Sequence, residues 1–164
     1  MKVYAAYGSN INLGQMAQRC PAARVIGKGW LMDYQLMFQG LSGGCGVATV
    51  EPHKGRRVPI LLWAISPDCE VALDRYEGYP TLYRKEILPV VGIVWLPNEI
   101  TAMPADITEV PAMIYIMNMG EAAPPSDYYL NTIVEGYRSM GFHVRYLAEA
   151  VRRAQRLKLK HGPK

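Results

Sequence analysis

The sequence contains few of the residues that build disulfide frameworks or metal centres. Its 164 residues include only three cysteines and three histidines. These are Cys20, Cys45, Cys69, His53, His143 and His161. An odd number of cysteines without CxxC spacing favours reduced thiols. The scattered histidines suggest no metal site, so we expect neither a structural nor a catalytic metal.

Long hydrophobic runs are also absent. The longest apolar stretches are 60–65 and 87–96, and Pro89 and Gly92 interrupt the second. Both are far shorter than the roughly 18 to 20 residues that a membrane-spanning helix needs. The first residues lead into a β-favouring segment without the apolar region of a signal peptide. We therefore expect a cytoplasmic protein with no membrane partner.

Positive charge is scarce except near the carboxyl end of the sequence. Residues 145–164 hold seven Lys/Arg and one acid, whereas residues 1–144 hold eleven Lys/Arg and thirteen acids. The basic segment also carries an apolar stripe of Tyr146, Leu147, Ala150, Val151, Ala154 and Leu157. This pattern favours a docked helix with a solvated basic face. Phosphate binding by this segment on nucleic acid or a membrane surface is the less favoured alternative, and we expect no nucleic-acid partner.

The remaining pattern predicts a single domain over residues 1–150, with 151–164 as the basic end of the last helix and its tail. Short β-favouring segments alternate with helical ones, which indicates an α+β domain whose curved, mostly antiparallel sheet closes or nearly closes. We expect strands at 24–34 and 35–39 joined by a turn near Asp33. Strands at 47–50 and 58–65 should flank a turn at 52–55, and segment 97–110 should be irregular.

The central helix places a carboxylate on its apolar side. Ser66 can cap this helix, Pro67 suits its first turn, and Gly78 can end it in the left-handed conformation. The apolar stripe comprises Cys69, Ala72, Leu73 and Tyr76. The next position of that stripe, i+8, is Glu77. An ionised carboxylate facing the core is costly, so Glu77 is a candidate general base with a raised pKa.

A structural explanation of Glu77 is also possible. A charged residue in the last turn of a helix is often solvated. Alternatively, Glu77 could pair with Arg75, Arg84 or Lys85. The sequence of this helix alone does not decide between these alternatives.

A second candidate feature lies near the amino terminus. A β-favouring run from Val3 ends at Gly8-Ser9-Asn10, and a helical pattern then begins. Consecutive backbone N–H groups in such a turn can bind a carboxylate, a phosphate or an oxyanion. The alternative is an ordinary strand-to-helix turn. It is neither a dinucleotide fingerprint nor a P-loop, because the required glycines and lysine are missing.

Four motifs occur in an order that resembles the γ-glutamylcyclotransferase-like (AIG2-like) proteins. They are Tyr7-Gly8-Ser9-Asn10, Arg19-Cys20-Pro21, Leu73-Asp74-Arg75-Tyr76-Glu77-Gly78 followed by Tyr83, and Ala123-Pro124-Pro125-Ser126 followed by Tyr129. The resemblance covers roughly residues 3–147. It implies a small β-barrel flanked by helices.

The resemblance also implies an activity, the cyclisation of a γ-glutamyl amide to 5-oxoproline with release of an amine or amino acid. This chemistry belongs to glutathione metabolism and needs no cofactor. Glu77 would be the general acid/base. The substrate-binding positions would be Tyr7, Gly8, Ser9, Asn10, Ile11, Tyr83 and Tyr129.

The resemblance leaves several points open. The loop could hold the substrate α-carboxylate or the oxyanion, and the leaving amine is unspecified. Each tyrosine could equally be a core residue with a satisfied hydroxyl, and the spacing to Tyr83 is one residue tighter than in some relatives. A homodimer is plausible. A catalytically silent relative that binds a small carboxylate or amine is the alternative function.

Overall fold

A computed structural model describes residues 2–41, 43–97 and 103–160. In chain order the elements are β1 Lys2–Ala6, a 3₁₀ turn Ser9–Ile11, α1 Leu13–Arg19, β2 Arg24–Gly40, β3 Val47–Ile65, α2 Pro67–Glu77, β4 Tyr83–Trp95, β5 Glu109–Met117, β6 Glu121–Ala122, α3 Asp127–Met140 and α4 Arg145–Lys160. Residues 103–108 contain neither helix nor strand, as predicted for segment 97–110, but residues 109 and 110 already belong to β5. Residues 98–102 lie outside the described residues.

Five strands close into a barrel. The strand order is β3-β1-β5-β4-β2, and β2 pairs back with β3, while the short β6 extends the sheet beside β2. The pairings are antiparallel except between β1 and β5, where Tyr4 lies opposite Met113. Residues 58–65 of β3 are all buried, because alternate side chains point to opposite faces of the sheet and both faces are covered. The predicted α+β fold with a closed, mostly antiparallel sheet is confirmed.

The sequence predicts turns near Asp33 and at 52–55, and the structure shows that both predictions are wrong. Each of β2 and β3 is one continuous strand, and the register between them shifts after Met32. Asp33 and Gly55 adopt left-handed backbone angles with φ of 62° and 85°. The Gly55 amide donates to Asp33 Oδ1 at 2.9 Å. The local turn signals therefore produce a bulge and a bend within paired strands, because the long β2–β3 ladder continues on both sides of them.

Helix α2 begins and ends where the sequence predicts. Ser66 Oγ accepts a hydrogen bond from the Cys69 amide, and Gly78 ends the helix with φ of 65°. The last helical residue is Glu77, so the end of the helix fixes the backbone position from which its side chain extends. Cys69 and Leu73 of the apolar stripe are buried in the core and Ala72 is half-buried, whereas Tyr76 at the end of the stripe is largely exposed.

A charged cluster attaches α2 to the barrel. Lys85 Nζ lies 2.9 Å from a Glu70 oxygen and 3.0 Å from the Asp74 carboxylate. Tyr115 Oη donates to Asp74 Oδ1 at 2.6 Å. Because Lys85 belongs to β4 and Tyr115 to β5, these contacts fix the orientation of α2 relative to both strands.

Helix α3 packs against residues 7–12, the segment between β1 and α1 that is called the first loop here. Asn12 Oδ1 caps α1 by accepting from the Gln15 amide at 3.1 Å, and Asn12 Nδ2 donates to the Thr132 carbonyl at 3.0 Å. A Cβ atom at Gly136 would lie 2.8 Å from the Asn12 nitrogen. The absence of a side chain at Gly136 therefore allows α3 to pack directly on the backbone that follows the 3₁₀ turn.

The helices are too short or too polar for a membrane crossing. In the described ranges, no helix combines the necessary length with sufficient apolar character.

Candidate active site

One small cavity brings most of the predicted site residues together. Its volume is about 240 Å³, compared with roughly 300 to 1,000 Å³ for pockets that hold drug-sized ligands. Its lining consists of Tyr4, Tyr7, Gly8, Ser9, Asn10, Val47, Ala48, Tyr76, Glu77, Leu82, Tyr83, Tyr115 and Tyr129. These residues come from β1, the 3₁₀ turn, β3, the end of α2, the start of β4, β5, α3 and the segments that join β1 to the turn and α2 to β4. The cavity is suited to a small molecule.

The loop after β1 presents backbone donors. The Ile11 amide donates to the Gly8 carbonyl, and the Asn12 amide donates to the Ser9 carbonyl, each at 3.0 Å. The amides of Gly8, Ser9 and Asn10 make no hydrogen bond to any other described residue, as expected for the first N–H groups of a helical turn. Such donors can bind a carboxylate or an oxyanion.

Glycine at position 8 allows a close approach of β3 to this loop. A Cβ atom at Gly8 would lie 3.0 Å from the Ala48 Cβ and 3.6 Å from Tyr129 Oη. The first distance is tighter than ordinary van der Waals contact. The loop, the start of β3 and the Tyr129 phenol therefore form one continuous wall of the cavity.

Glu77 contributes a carboxyl group to the same cavity. Burial raises the pKa of Glu77 to about 7, although the Arg19 guanidinium opposes part of this increase. The residue keeps some exposed area as a whole, but its carboxyl group is largely shielded by surrounding protein atoms. No ion pair or hydrogen bond to this carboxyl is present among the described residues. A carboxyl that is partly protonated near neutral pH can both accept and donate a proton.

Two of the predicted tyrosines use their hydroxyl protons within the protein. Tyr7 Oη donates to the Tyr115 carbonyl at 2.5 Å. Tyr83 Oη donates to the Ala48 carbonyl at 2.8 Å. Their phenols are thus committed to the backbone, and their rings remain as walls of the cavity.

Two other tyrosines have hydroxyl protons that remain available. Tyr129 Oη accepts from the Ala48 amide at 2.9 Å, and Tyr4 Oη accepts from Asn10 Nδ2 at 2.9 Å. Within the described ranges, neither hydroxyl donates to a protein acceptor. Both phenols can therefore donate to a ligand in the cavity.

Arg19 is a neighbour of the site that sequence reasoning missed. Its guanidinium donates to Ser9 Oγ at 3.0 Å and to Asn10 Oδ1. The same group lies 3.5 Å from the centre of the Tyr76 ring. Arg19 thus links the first loop to the residue that precedes Glu77. Its place in the Arg19-Cys20-Pro21 motif was the available signal, but nothing in the spacing showed which side chains it would contact.

The structure places seven of the eight predicted site residues around the cavity and one elsewhere. Ile11 is completely buried in the core and is not among the residues that line the cavity. The expectation that Ile11 lies at the site therefore requires correction. Its amide closes the 3₁₀ turn while its apolar side chain packs inward. Tyr4, Tyr76 and Tyr115 line the cavity instead, without having been predicted.

The buried carboxyl predicts a pH-dependent stability. Because the pKa of Glu77 is raised from 4.5 to about 7, the folded state binds a proton more tightly than the unfolded state does. The stabilisation from this proton is fully present below pH 4.5 and is lost as the pH rises through about 7. The linkage between proton binding and folding limits this loss in the free energy of unfolding to about 3 kcal/mol.

Denaturant unfolding of the wild type and of Glu77→Gln between these pH values measures this effect. Glutamine has no such titration, so we expect the wild type to lose stability relative to the variant as the pH rises. Subtracting the two curves removes the contributions of all other groups. A difference that stays constant across this range would show that the carboxyl is ordinarily solvated.

Comparison with known proteins identifies relatives of this chain. The family described as "Gamma-glutamyl cyclotransferase, AIG2-like" matches residues 4–132. The gamma-glutamylcyclotransferase of Bos taurus is 27% identical over 150 residues, which cover 88% of this chain and 74% of the relative. The gamma-glutamylcyclotransferase of Homo sapiens is 26% identical over the same coverage.

The fold comparison agrees with the sequence comparison. A solved structure of a gamma-glutamyl cyclotransferase has a TM-score of 0.75 and 24% identity, and the match covers 91% of this chain and 85% of that chain. At this identity the structural likeness establishes a common fold. With the family match extending from β1 into α3, we conclude that this chain belongs to the gamma-glutamyl cyclotransferase, AIG2-like family.

Proposed function

We propose that this protein converts a γ-glutamyl amide into 5-oxoproline and releases an amine or amino acid. The observation that carries the proposal is the presence, in one small cavity, of a carboxyl with a pKa of about 7 and a row of unpartnered backbone amides. The names of the curated relatives support the same reaction class. Small γ-glutamyl compounds, including those of glutathione metabolism, are the proposed substrates.

The reaction is an internal amide exchange. The substrate α-amine attacks its own γ-carbonyl carbon, a new C–N bond closes the five-membered lactam, and the original amide C–N bond breaks. The proton lost by the attacking nitrogen replaces the one needed by the leaving nitrogen, so no water is consumed. Intramolecular attack in a well-oriented substrate has an effective molarity on the order of 10⁵ M or more. Neither a nucleophilic side chain nor a cofactor is needed for this sequence of steps.

Glu77 is the proposed proton carrier. An α-amine has a pKa of about 8, so a carboxylate with an ordinary pKa would be a poor base for it. A carboxyl with a pKa of about 7 is much better matched to this proton transfer. The same group can then protonate the leaving nitrogen. Burial in the cavity is the physical source of this match.

The first loop is the proposed anion-binding element. The amides of Gly8, Ser9 and Asn10 can hold either the α-carboxylate or the oxyanion that forms at the γ-carbonyl. If the loop binds one of these two anions, the hydroxyl groups of Tyr4 and Tyr129 can donate hydrogen bonds to the other. In this arrangement Tyr7 and Tyr83 shape the cavity and do not donate to the substrate.

A blocked substrate tests this proposal directly. Incubating the protein with a panel of γ-glutamyl amides should yield 5-oxoproline and the free amine in equal amounts. The same amides carrying an acetyl group on the α-amine should remain intact, because the nucleophile is removed while the scissile bond is unchanged. In ¹⁸O-labelled water the 5-oxoproline should contain no label.

Two results would contradict the proposal. Cleavage of the acetylated amides, or formation of labelled glutamate, would indicate hydrolysis. Saturable binding of the amides without turnover would instead identify a catalytically silent relative.

A further inference from the structure

A groove lined by arginines lies outside the candidate active site, between α4 and the bend in β3. Its volume is about 500 Å³. The arginines that line it, called the arginine groove here, are Arg56, Arg57, Arg152, Arg153 and Arg156. Glu149 is the one acidic residue in its lining, and the groove shares no lining residue with the cavity that contains Glu77. The local charge is therefore strongly positive.

None of these arginines forms an ion pair with a described acidic residue, although the Glu149 and Glu51 carboxylates act on Arg153 from a greater distance. In the part of the chain that the structure describes, no ion pair involves any of the five. Elsewhere on the surface, lysines and arginines do pair with acids, as Arg84 does with Glu86 at 3.2 Å. A solvated basic helix face would account for Arg152 and Arg156 alone. It does not account for Arg56 and Arg57, which reach the same groove from β3.

Two of the guanidinium groups are held in place by neutral partners. Arg57 Nε donates to Tyr146 Oη at 3.3 Å, and its guanidinium lies 3.7 Å from the centre of the Trp30 ring. Arg153 Nη2 donates to the Leu36 carbonyl at 2.8 Å. These contacts orient the charged groups without neutralising them, so part of the entropic cost of binding an anion has already been met.

The groove also contains two buried polar atoms without partners. Arg153 Nε and Gln35 Oε1 are both buried and make no hydrogen bond within the described ranges. Burial lowers the pKa of Arg153, and the nearby Arg56 and Arg156 charges lower it further, while the Glu149 and Glu51 carboxylates oppose part of this decrease. Buried donors and acceptors are nearly always satisfied in folded proteins. The lining of this groove therefore offers one free guanidinium donor and one free amide acceptor to a polar ligand.

We propose that the arginine groove binds a compact phosphate anion, either inorganic phosphate or a phosphomonoester of a small molecule. The guanidinium fork matches phosphate oxygens through paired N–H donors. A dianion would offset the mutual repulsion of Arg56, Arg153 and Arg156 and supply an acceptor for their free N–H groups. A hydrogen phosphate O–H, or a hydroxyl of the phosphorylated molecule, would supply a donor for Gln35.

A single phosphate fits the groove better than a nucleic-acid strand does. The oriented guanidinium groups and both unpartnered atoms belong to one groove of about 500 Å³. A strand would need phosphate contacts repeated along an extended surface.

Proton–nitrogen NMR of the arginine Nε–H groups tests the proposal. Inorganic phosphate is titrated into the 164-residue chain at constant ionic strength, with chloride as the exchanged anion. We expect a saturable shift of the Arg153 Nε–H resonance. In the double variant Arg56→Gln/Arg156→Gln, whose side chains are exposed, the affinity should fall about tenfold or more.

The matched control is Arg24→Gln/Arg138→Gln, which removes the same charge from exposed positions outside the groove. Its phosphate affinity should equal that of the wild type. The proposal is overturned if both double variants lose phosphate affinity equally, or if the shift of the Arg153 Nε–H resonance never saturates. Either result would show that phosphate acts only by general charge screening. Preserved backbone resonances show that each variant is folded.

Two further ligands establish the type of anion. A nucleoside monophosphate should bind at the same resonances as inorganic phosphate, with the same loss in the groove variant. A short single-stranded oligonucleotide should bind no more tightly than the monophosphate. Tight oligonucleotide binding without a response to the monophosphate would overturn the small-anion site and identify a strand-binding surface.

Discussion

Replacing Glu77 by glutamine is expected to lower kcat for γ-glutamyl amide cyclisation by about 10² to 10⁴-fold. Glutamine keeps the shape of the side chain but can neither accept the proton of the α-amine nor return it to the leaving nitrogen. Because substrate binding relies on the loop amides and the tyrosine walls, KM should change much less than kcat. Initial rates of 5-oxoproline formation measure both parameters.

The pH dependence of the rate provides a second measurement of the same group. A wild-type rate that needs the ionised carboxylate should rise as the pH passes about 7. The residual activity of Glu77→Gln should lack this step and keep only the rise from deprotonation of the substrate α-amine, whose pKa is about 8. The matched control is Asp68→Asn, which makes the same carboxyl-to-amide change at an exposed position of α2. Equal rates for the Glu77 variant, the Asp68 variant and the wild type would exclude Glu77 as the proton carrier.

Replacing Gly46 by alanine is expected to lower the free energy of unfolding by about 3 kcal/mol or more, at the upper end of overpacking costs. A Cβ atom at this position would lie 1.8 Å from the Ala123 carbonyl oxygen and 2.8 Å from its carbon. Gly46 has no left-handed φ, so the strain comes entirely from this contact with backbone. Neither chain segment can move freely, because the Gly46 amide also donates to the Pro124 carbonyl at 2.9 Å.

The same substitution should reduce activity, since Val47 and Ala48 follow Gly46 and line the candidate active site. Denaturant unfolding and the cyclisation assay measure the two effects. Gly14→Ala is the control, because the nearest atom to its new Cβ is the Asn12 side-chain oxygen at 3.3 Å. Its stability should change by less than about 1 kcal/mol. An unfolding free energy for Gly46→Ala equal to that of the wild type would show that the two segments separate at little cost.

Features with a local physical cause were predictable from the sequence. Both ends of α2 follow from Ser66 and Gly78, because an N-terminal capping oxygen and a left-handed glycine act within one helical turn. The same kinds of residue bound α3, where Ser126 Oγ accepts from the Tyr129 amide and Gly141 ends the helix in the left-handed conformation. The inward position of Glu77 follows from the period of the helix.

Turn signals were less reliable, because paired strands can absorb them. Asp33 and Gly55 adopt the unusual backbone angles that their residue types favour, yet neither ends its strand. The hydrogen bonds of the ladder on both sides outweigh the local preference. Ile11 shows a similar limit, since membership of a motif did not reveal that its side chain belongs to the core.

By itself the sequence determined the alternation of elements, the caps of the helices and the direction in which α2 aims its last side chain. Each of these depends on residues a few positions apart. Only the tertiary structure decided that the Glu77 carboxyl shares a cavity with the first loop, that Arg19 links this loop to Tyr76, and that arginines of β3 and α4 meet in one groove. These arrangements depend on barrel closure, which brings together residues that are distant in the chain and whose packing no local pattern specifies.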